Sequence, residues 1–450
     1  MTADIAETID SLFGKLERIA ADLWSHPELS GQEQYAAGRL KRFLAEQNFT
    51  IQDGLIPDLP TSFLATWGSG KPVIGFLGEY DALPGCSQAV CSRPAPLVDG
   101  GAGHGCGHNL LGTGLAGAAA VAKALLKNSG QNGTLRFYGC PAEETLLGKV
   151  LMDRAHLFDD CDVCLSWHPM GFTCVSDYIY SALTSIQFCF SGTAAHAAES
   201  PDQGRSALDA VELMNVGANY LREHIPRGTQ LHYTITQGGF QPNIVPDKAQ
   251  SWYYVRAPRQ EQVFQVAERL FDVARGAALM TGTQASWQTV TSCSHTRLNP
   301  TLNRLLYRCM TETPYPRWDE ADTGFAQAIR DTLDPEFCAK LLQRYGMQEL
   351  EGLALHDQPS PLKPSPVRMA GSSDYSNVSL RVPCGQVFVS CCPPGTPAHS
   401  WQMTACAGSQ LGIKAMRYAV EVLTRATLSL LFEPEQLAMI REDDGKTEHI

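Results

Sequence analysis

The segment GHGCGH at residues 103–108 carries the sharpest chemical signal in the sequence. Cysteine and histidine are ligands for zinc and similar divalent ions, and the glycines leave the backbone free to bend around an ion. By itself the segment fits a metal site and a glycine-rich turn with buried Cys106 and His108 equally well. The glycines of GTGLAG at 112–117 come after this turn, inside a helix of small residues. We therefore predict close helix packing there rather than a dinucleotide-binding loop.

Two adjacent carboxylates, Glu143 and Glu144, follow the predicted strand GTLRFY at 133–138. Open α/β sheets place their sites at the carboxyl ends of strands. One carboxylate of such a pair can bind a metal ion while the other acts on water as a general base. An isolated Glu-Glu pair is otherwise typical of a solvated turn or of a helix N-terminus.

His168 in WHP and His399 in GTPAHSW also follow predicted strands, and each alone is typical of a structural histidine. Because four such groups fall past strand ends of one predicted sheet, we expect their side chains to converge. Cys106, His108, Glu144, His168 and His399 then supply ligands for two divalent ions that share the thiolate. A two-metal site of this kind indicates hydrolysis of an amide or ester. The donor set favours zinc and also admits manganese or cobalt.

The elements that must position these residues form an α/β pattern at both ends of the chain. Helices are predicted over residues 4–24 and 32–47, with Ser30 and Glu33 in capping-box register. Short apolar runs bounded by turn residues predict buried strands of a doubly wound sheet, at 62–67, 72–77, 134–138, 162–167 and 386–390. A closing helix is predicted over 408–431.

The pattern changes at about Thr184, where alternating strand segments and two amphipathic helices, 206–223 and 260–280, predict a smaller unit. We therefore expect a catalytic domain in two parts, residues 1–184 and 293–450, with an inserted domain at 185–292.

Composition narrows the classes of partner and the compartment. A formal net charge of −12 argues against nucleic acid and anionic membrane partners. The N-terminus lacks the pattern of a signal peptide, so the fifteen cysteines are expected to be reduced in the cytoplasm. Cys161 and Cys164 have CxxC spacing without a second CxxC, and we predict buried thiols there. The apolar run at 110–126 is predicted to be a packed helix rather than a membrane span.

Nearly the whole chain resembles a known family. The motifs SHPELSGQE, GEYDALPG, GHGCGHN, CPAEE, WHP, GTAAHAA, NIVPD and GTPAHSW occur in family order. They are similar to the amidohydrolase branch of the co-catalytic metal exopeptidases, which includes hippurate hydrolases, aminoacylases and auxin-conjugate hydrolases. The resemblance implies a zinc-exopeptidase-like α/β domain with a central, mostly parallel sheet. It also implies an inserted α+β domain, ferredoxin-like, that serves as lid and dimerisation domain.

The resemblance also implies roles for single residues. The five ligands named above keep that role, with Glu143 as general base and acid, and Asp81 orients a ligand. His196 lies at the position of the family histidine that reaches into the partner's site to stabilise the oxyanion. The remaining residues that it implies line the substrate pocket: Asn243, Arg256, Gly371, Ser372 and Asp374. For Arg256, a salt bridge within the sheet is the alternative. Other branches have a metal-binding histidine where this chain has Glu79.

The expected function is metal-dependent hydrolysis of the amide in an N-acyl or N-aroyl amino acid. Within the family, several segments look most like p-aminobenzoyl-glutamate hydrolases and related dipeptidases, so p-aminobenzoyl-glutamate is the first substrate prediction. The alternatives are a dipeptidase for dipeptides with a basic C-terminal residue and a non-catalytic partner subunit. A homodimer through the inserted domain is expected, and pairing with a related subunit is the alternative assembly.

Overall fold

The computed structural model describes residues 2–127 and 129–444. The helices are α1 (Thr2–Ser25), α2 (Gln34–Glu46), α3 (His108–Leu126), α4 (Gly148–Arg154), α5 (Ala207–Leu221), α6 (Gln260–Thr281), α7 (Pro300–Glu312), α8 (Glu320–Arg330), α9 (Pro335–Tyr345), α10 (Tyr375–Arg381), α11 (Trp401–Ala407), α12 (Gln410–Phe432) and α13 (Pro434–Asp444). The strands are β1 (Thr50–Asp53), β2 (Phe63–Ser69), β3 (Val73–Glu79), β4 (Gly133–Cys140), β5 (Val163–Met170), β6 (Cys174–Val175), β7 (Tyr178–Tyr180), β8 (Ala182–Ser191), β9 (Gln230–Gln237), β10 (Lys248–Ala257), β11 (Gln284–Cys293), β12 (Val367–Met369) and β13 (Cys384–Ser390).

The chain divides into two compact units. We call the larger one the catalytic unit; it runs from the start of the chain to Tyr178, over Arg297–Val367 and from Val378 onward. The smaller one, the inserted unit, comprises Ile179–Thr296 and Arg368–Asn377. The boundaries predicted from the sequence did not include the second of these segments.

A seven-stranded sheet of order β1-β2-β4-β3-β5-β13-β6 forms the centre of the catalytic unit. Its four middle strands, β4, β3, β5 and β13, are parallel, and the pairings at both edges are antiparallel, so the sheet is mixed around a parallel centre. The middle strands are nearly all buried apolar residues, as expected for strands covered on both faces. Their carboxyl ends lie along one edge, where Glu79 is level with Cys140.

Helix α3 packs against this sheet through the glycines of the GTGLAG segment. A side chain at Gly112 would collide with the carbonyl oxygen of Glu79, and a Cβ at Gly114 would lie 2.8 Å from Nε1 of Trp167. By length and composition α3 could cross a membrane, but 89% of its most apolar stretch is buried in the fold. It has the burial of a core helix, and the glycines serve close packing.

The inserted unit has the order of elements β8-α5-β9-β10-α6-β11, and its sheet has the strand order β11-β8-β10-β9. All three pairings are antiparallel. The two helices share one buried core with the sheet, in which Phe188 and Tyr253 are fully buried. This is the ferredoxin-like α+β arrangement, and the fold class predicted from the sequence is confirmed in both units.

One local prediction needs correction. The capping box of α2 is absent, because Ser30 donates to Asp81 Oδ2 at 2.8 Å and the Glu33 carboxylate accepts from Gly31 and Thr61. Both side chains are drawn to partners outside the helix, which local spacing does not reveal. The closing helix predicted over 408–431 is present as α12, which begins after Gly408, where a side chain would collide with the Trp24 ring, and the short helix α13 follows it.

Candidate metal centre

The GHGCGH turn leads directly into α3 and directs Cys106 and His108 inward. Gly107 is left-handed at φ +74°, a conformation that favours glycine. The thiol of Cys106 lies 3.4 Å from Nε2 of His168, at the end of β5. His168 directs its other nitrogen, Nδ1, at the carbonyl of Pro169 at 2.8 Å, which fixes the ring with Nε2 toward Cys106. His104 points elsewhere and contacts the carbonyl of Leu23 at 3.1 Å.

A second group of donors shares Cys106 with the first. Glu144 Oε2 lies 3.2 Å from Nε2 of His399. His399 is left-handed at φ +59° and is held by its amide, which donates to the carbonyl of Gly105. Such a backbone in a residue other than glycine is strained, and strain of this kind concentrates at functional sites. The donor atoms of Cys106, His108 and His168 all lie within 4.8 Å of one another, and so do those of Cys106, Glu144 and His399.

Asp81 connects the two groups. Its Oδ1 lies 2.9 Å from Nδ1 of His108, which leaves Nε2 of that ring for a ligand. Its Oδ2 accepts hydrogen bonds from the Glu144 amide at 2.9 Å and from the Ser30 hydroxyl at 2.8 Å. One buried carboxylate therefore orients a histidine of the first group and the backbone of a carboxylate in the second.

Nε2 of His108 and Oε1 of Glu144 are buried 4.0 Å apart and make no hydrogen bond to the described residues; the carboxylate oxygen Oε2 of Glu79 lies 3.4 Å from Nε2 of His108. Buried polar atoms are nearly always bonded, so an unpartnered pair in a shared pocket calls for a further group. Thiolate, imidazole and carboxylate donors suit divalent ions such as zinc, manganese and cobalt. The residues present therefore fit a pair of divalent metal ions.

The ionisable groups of the centre shift one another's pKa values. Burial alone would raise the pKa of the Cys106 thiol, but His168 and His108 lower it well below its ordinary value. Burial raises the pKa of the Glu144 carboxyl, and Cys106 raises it further. Hydrogen bonds to Cys106 and Glu144 raise the pKa of His399. The lowered pKa of Cys106 favours the thiolate, the form of cysteine that binds metal ions.

Glu143 lies in a third group with Glu79 and His108, in which one donor atom of each residue is within 4.8 Å of the others. It follows Ala142, which is left-handed at φ +56° and whose amide donates to Glu33 at 2.9 Å. Glu33 is fully buried and holds the turn that carries the two adjacent glutamates. The sequence analysis assigned Glu33 to a helix cap and missed this role.

The sequence analysis also missed Lys149. This lysine is fully buried, and its Nζ lies 2.9 Å from Glu79 Oε1, while Glu79 Oε2 lies 3.4 Å from Nε2 of His108. Lysine is almost never fully buried unless it is paired, so the pair is a built feature of the centre. Nothing in the sequence around Lys149 indicates that this lysine is buried and paired. The one indirect sign is Glu79, which stands where other branches of the family have a metal-binding histidine.

The inserted unit brings its predicted residues together in two places. His196 forms a β-bridge with Ile244, and the carbonyl of Asn243 accepts from the Ala197 amide, so the exposed residues His196 and Asn243 are neighbours. Elsewhere, Arg256 donates to the Ser372 hydroxyl at 2.9 Å. The carbonyl of Gly371 accepts from the amide of Ser181 at 2.9 Å, and Asp374 is fully buried.

Comparison with known proteins identifies the family. Residues 182–279 match the model of a peptidase dimerisation domain. One of the p-aminobenzoyl-glutamate hydrolase chains of Escherichia coli K12 is 38% identical over 427 residues, which are 92% of this chain and 89% of that protein. The chain belongs to the M20 peptidase family. The family resemblance seen in the sequence is confirmed, and the M20 chain is a hydrolase.

Two further relatives of this M20 chain span almost its full length. The Xaa-Arg dipeptidase of Mus musculus is 28% identical, over 97% of this chain and 90% of that protein. The crystal structure of the aminobenzoyl-glutamate utilization protein from Klebsiella pneumoniae has a TM-score of 0.64 at 18% identity and covers 94% of this chain and 98% of that one. At that identity the structural likeness shows the fold.

Proposed function

We propose that this chain is a metal-dependent amidohydrolase that cleaves the amide of an N-acyl or N-aroyl amino acid, with p-aminobenzoyl-glutamate as the first substrate and p-aminobenzoate and glutamate as products. The observation that carries the proposal is the pair of donor groups that share Cys106, with unpartnered atoms on His108 and Glu144. Cys106, His108 and His168 would hold one divalent ion; Cys106, Glu144 and His399 would hold the other. When bound, two such ions supply a nucleophile at neutral pH and polarise a substrate carbonyl.

Glu143 is the proton carrier in this proposal. It is next to the ligand Glu144 and lies in the group with His108, but is not a member of either ligand triad. It takes a proton from the attacking water and delivers it to the nitrogen of the leaving amino acid. Asp81 keeps His108 and the turn at Glu144 in place while this happens.

His196 is the proposed donor to the oxyanion. Its Nδ1 accepts the backbone amides of Ala198 at 3.3 Å and Glu199 at 3.2 Å. A neutral ring whose Nδ1 accepts carries its proton on Nε2, so the exposed side of the ring presents an N–H donor. Asn243 and Arg256 are proposed to bind the substrate carboxylate, as an amide and a guanidinium can do. Asn243 lies beside His196 and Arg256 lies elsewhere in the inserted unit, where Gly371 and Ser372 are proposed to line the pocket floor next to it.

The inserted unit supports a homodimer. Leu213, Val216 and Tyr220 lie on one face of α5, and all three are exposed, with Tyr220 at 76%. Strand β9 is an edge of its sheet and is exposed along most of its length, so it can pair with the same strand of a second copy. A related chain could use the same edge. All fifteen cysteines are free thiols, which supports a reducing, cytoplasmic location.

The second candidate function is a dipeptidase for dipeptides with a basic C-terminal residue, which the dipeptidase relative favours at 28% identity. A non-catalytic partner subunit is the third, and the complete donor set counts against it.

The test is a mass-spectrometric hydrolysis screen of the purified chain against p-aminobenzoyl-glutamate, β-alanyl-lysine and hippurate. Manganese, zinc or cobalt is added, and a chelator serves as control. We expect cleavage of p-aminobenzoyl-glutamate that stops with the chelator. The Glu143→Gln variant should bind the same amount of metal with turnover reduced by at least about 100-fold. Normal turnover of that variant with full metal content would refute the role of Glu143, and no cleavage of any substrate would favour the non-catalytic subunit.

A further inference from the structure

A cavity of about 160 Å³ lies beside the metal centre, within the catalytic unit. Cys106 and His168 form one end of it. Its walls come from the end of β5 and the residues after it, from α9, and from the loop that precedes His399. A group in this cavity would therefore be next to the atoms that act on the amide.

The size of the cavity suits one aromatic ring. A protein cavity of about 150 Å³ lined by aliphatic and aromatic side chains accommodates benzene. His168, Phe172 and Tyr345 line the cavity, and Phe388, which is not a lining residue, contacts the first two rings. The ring centroids of His168 and Phe388 are 6.2 Å apart, those of Phe388 and Phe172 6.1 Å, and those of Phe172 and Tyr345 5.3 Å. These rings contact each other at steep angles, the geometry in which a further ring is also favoured.

The lining is unsuited to a charged group. Among the described residues that line the cavity there is no aspartate, glutamate, lysine or arginine. Leu342 and Phe172 are buried apolar walls, and Leu341 is half-buried. Burial of an arginine side chain or a glutamate carboxylate there would cost free energy without a partner charge. The cavity therefore fits the acyl side of a substrate rather than the amino acid that leaves.

We propose that this cavity binds the acyl group of the substrate as a single aromatic ring, and that Leu341 on α9 sets the size of ring that is accepted. The inference rests on the proposed amidohydrolase function, and it deepens that function by naming the site that selects an aroyl over an alkanoyl group. It predicts a preference that the dipeptidase alternative does not, because the acyl side of a dipeptide carries a charged aliphatic amine, for which the described lining offers no carboxylate.

The first measurement compares kcat/KM of the metal-loaded wild-type chain for N-acetyl-glutamate, N-benzoyl-glutamate and N-(2-naphthoyl)-glutamate. Burial of one phenyl ring predicts that kcat/KM for the benzoyl compound exceeds that for the acetyl compound by about tenfold or more. The naphthoyl compound, with two fused rings, should fall below the benzoyl compound. Equal values for acetyl and benzoyl would overturn the inference.

The second measurement uses Leu341→Trp, which fills the cavity, and Gln343→Trp as the matched control. Gln343 is exposed on the same helix and does not line the cavity. Leu341→Trp should lower the ratio of kcat/KM for N-benzoyl-glutamate to that for N-acetyl-glutamate about tenfold or more, whereas Gln343→Trp should leave this ratio as in the wild type. Equal losses on both substrates from Leu341→Trp would refute a ring-binding role.

A binding measurement separates failure of this inference from failure of the proposed function. Benzamide is titrated into chelator-treated wild-type, Leu341→Trp and Gln343→Trp protein, with saturation-transfer NMR as readout. We expect binding to the wild type and Gln343→Trp and its loss in Leu341→Trp. If benzamide binds in this pattern but no amide is cleaved, the cavity assignment stands and the proposed function fails. If amides are cleaved but benzamide binds none of the three proteins, the cavity assignment fails alone.

Discussion

The metal centre of the catalytic unit and the exposed segment around His196 in the inserted unit hold their histidines in opposite environments. In the centre, His108 is fully buried, and Asp81 fixes one of its nitrogens while the other has no hydrogen-bond partner. In the exposed segment, backbone amides donate to Nδ1 of His196, and the ring is exposed. A substitution of such a buried residue is expected to affect both stability and the proposed metal binding. An exposed residue can be changed with little cost to the fold, so its effect on rate isolates its chemistry.

The largest effect is expected from Lys149→Met, which removes one partner of the buried pair with Glu79. A buried carboxylate left without its partner should destabilise the protein by about 3–5 kcal/mol in urea unfolding. The double variant Lys149→Met with Glu79→Gln should recover most of that loss, because no uncompensated charge remains. If Lys149→Met alone were as stable as the wild type, the buried centre would tolerate substitution as well as the exposed segment around His196.

The next effect is expected from His196→Ala, which should lower kcat by about 10²–10³-fold, the usual cost of one oxyanion donor. Its urea midpoint should match that of the wild type, because the side chain is exposed. His156→Ala, an exposed histidine in the catalytic unit, is the control and should retain full activity.

Mixed dimers sharpen the same prediction. If His196 acts in the site of the partner subunit, random mixing of His196→Ala with Glu143→Gln chains should restore about a quarter of the wild-type rate, since half of the dimers then contain one intact site. No restoration would mean that His196 acts within its own chain or that it has no catalytic role.

A smaller effect is expected from Asp81→Asn, which keeps the shape of the side chain and removes its charge. Metal affinity, measured by competition with a chromogenic chelator, should fall by about 10–100-fold, as for other residues that orient a ligand. Ser30→Ala removes only one hydrogen bond to Asp81 and should change affinity less. If both variants bound metal like the wild type, the orienting role of Asp81 would be wrong.

Much of the fold was predictable because its signals are local. The middle strands β3, β4 and β5 are short apolar runs between turn residues, and the structure has them within a few residues of the predicted bounds. The prediction of a capping box at Ser30 was wrong because a contact distant in sequence decides it: the Ser30 hydroxyl donates to the carboxylate of Asp81. Helix ends are decided by such competition, and spacing along the chain does not record it.

The residue types that could form the centre were readable from the chain alone, because thiol, imidazole and carboxylate groups follow strands whose carboxyl ends meet at one edge. The sequence also indicated the division into an α/β unit and an antiparallel α+β unit, through the change from continuous to alternating apolar patterns. Only the tertiary structure decided how the donors divide into two groups around Cys106 and that Lys149 neutralises Glu79. It alone brought α9 to the cavity beside His168. These features depend on contacts between segments far apart in the chain. Packing decides which side chains are buried and which charges lie close enough to pair, and local sequence patterns do not record either.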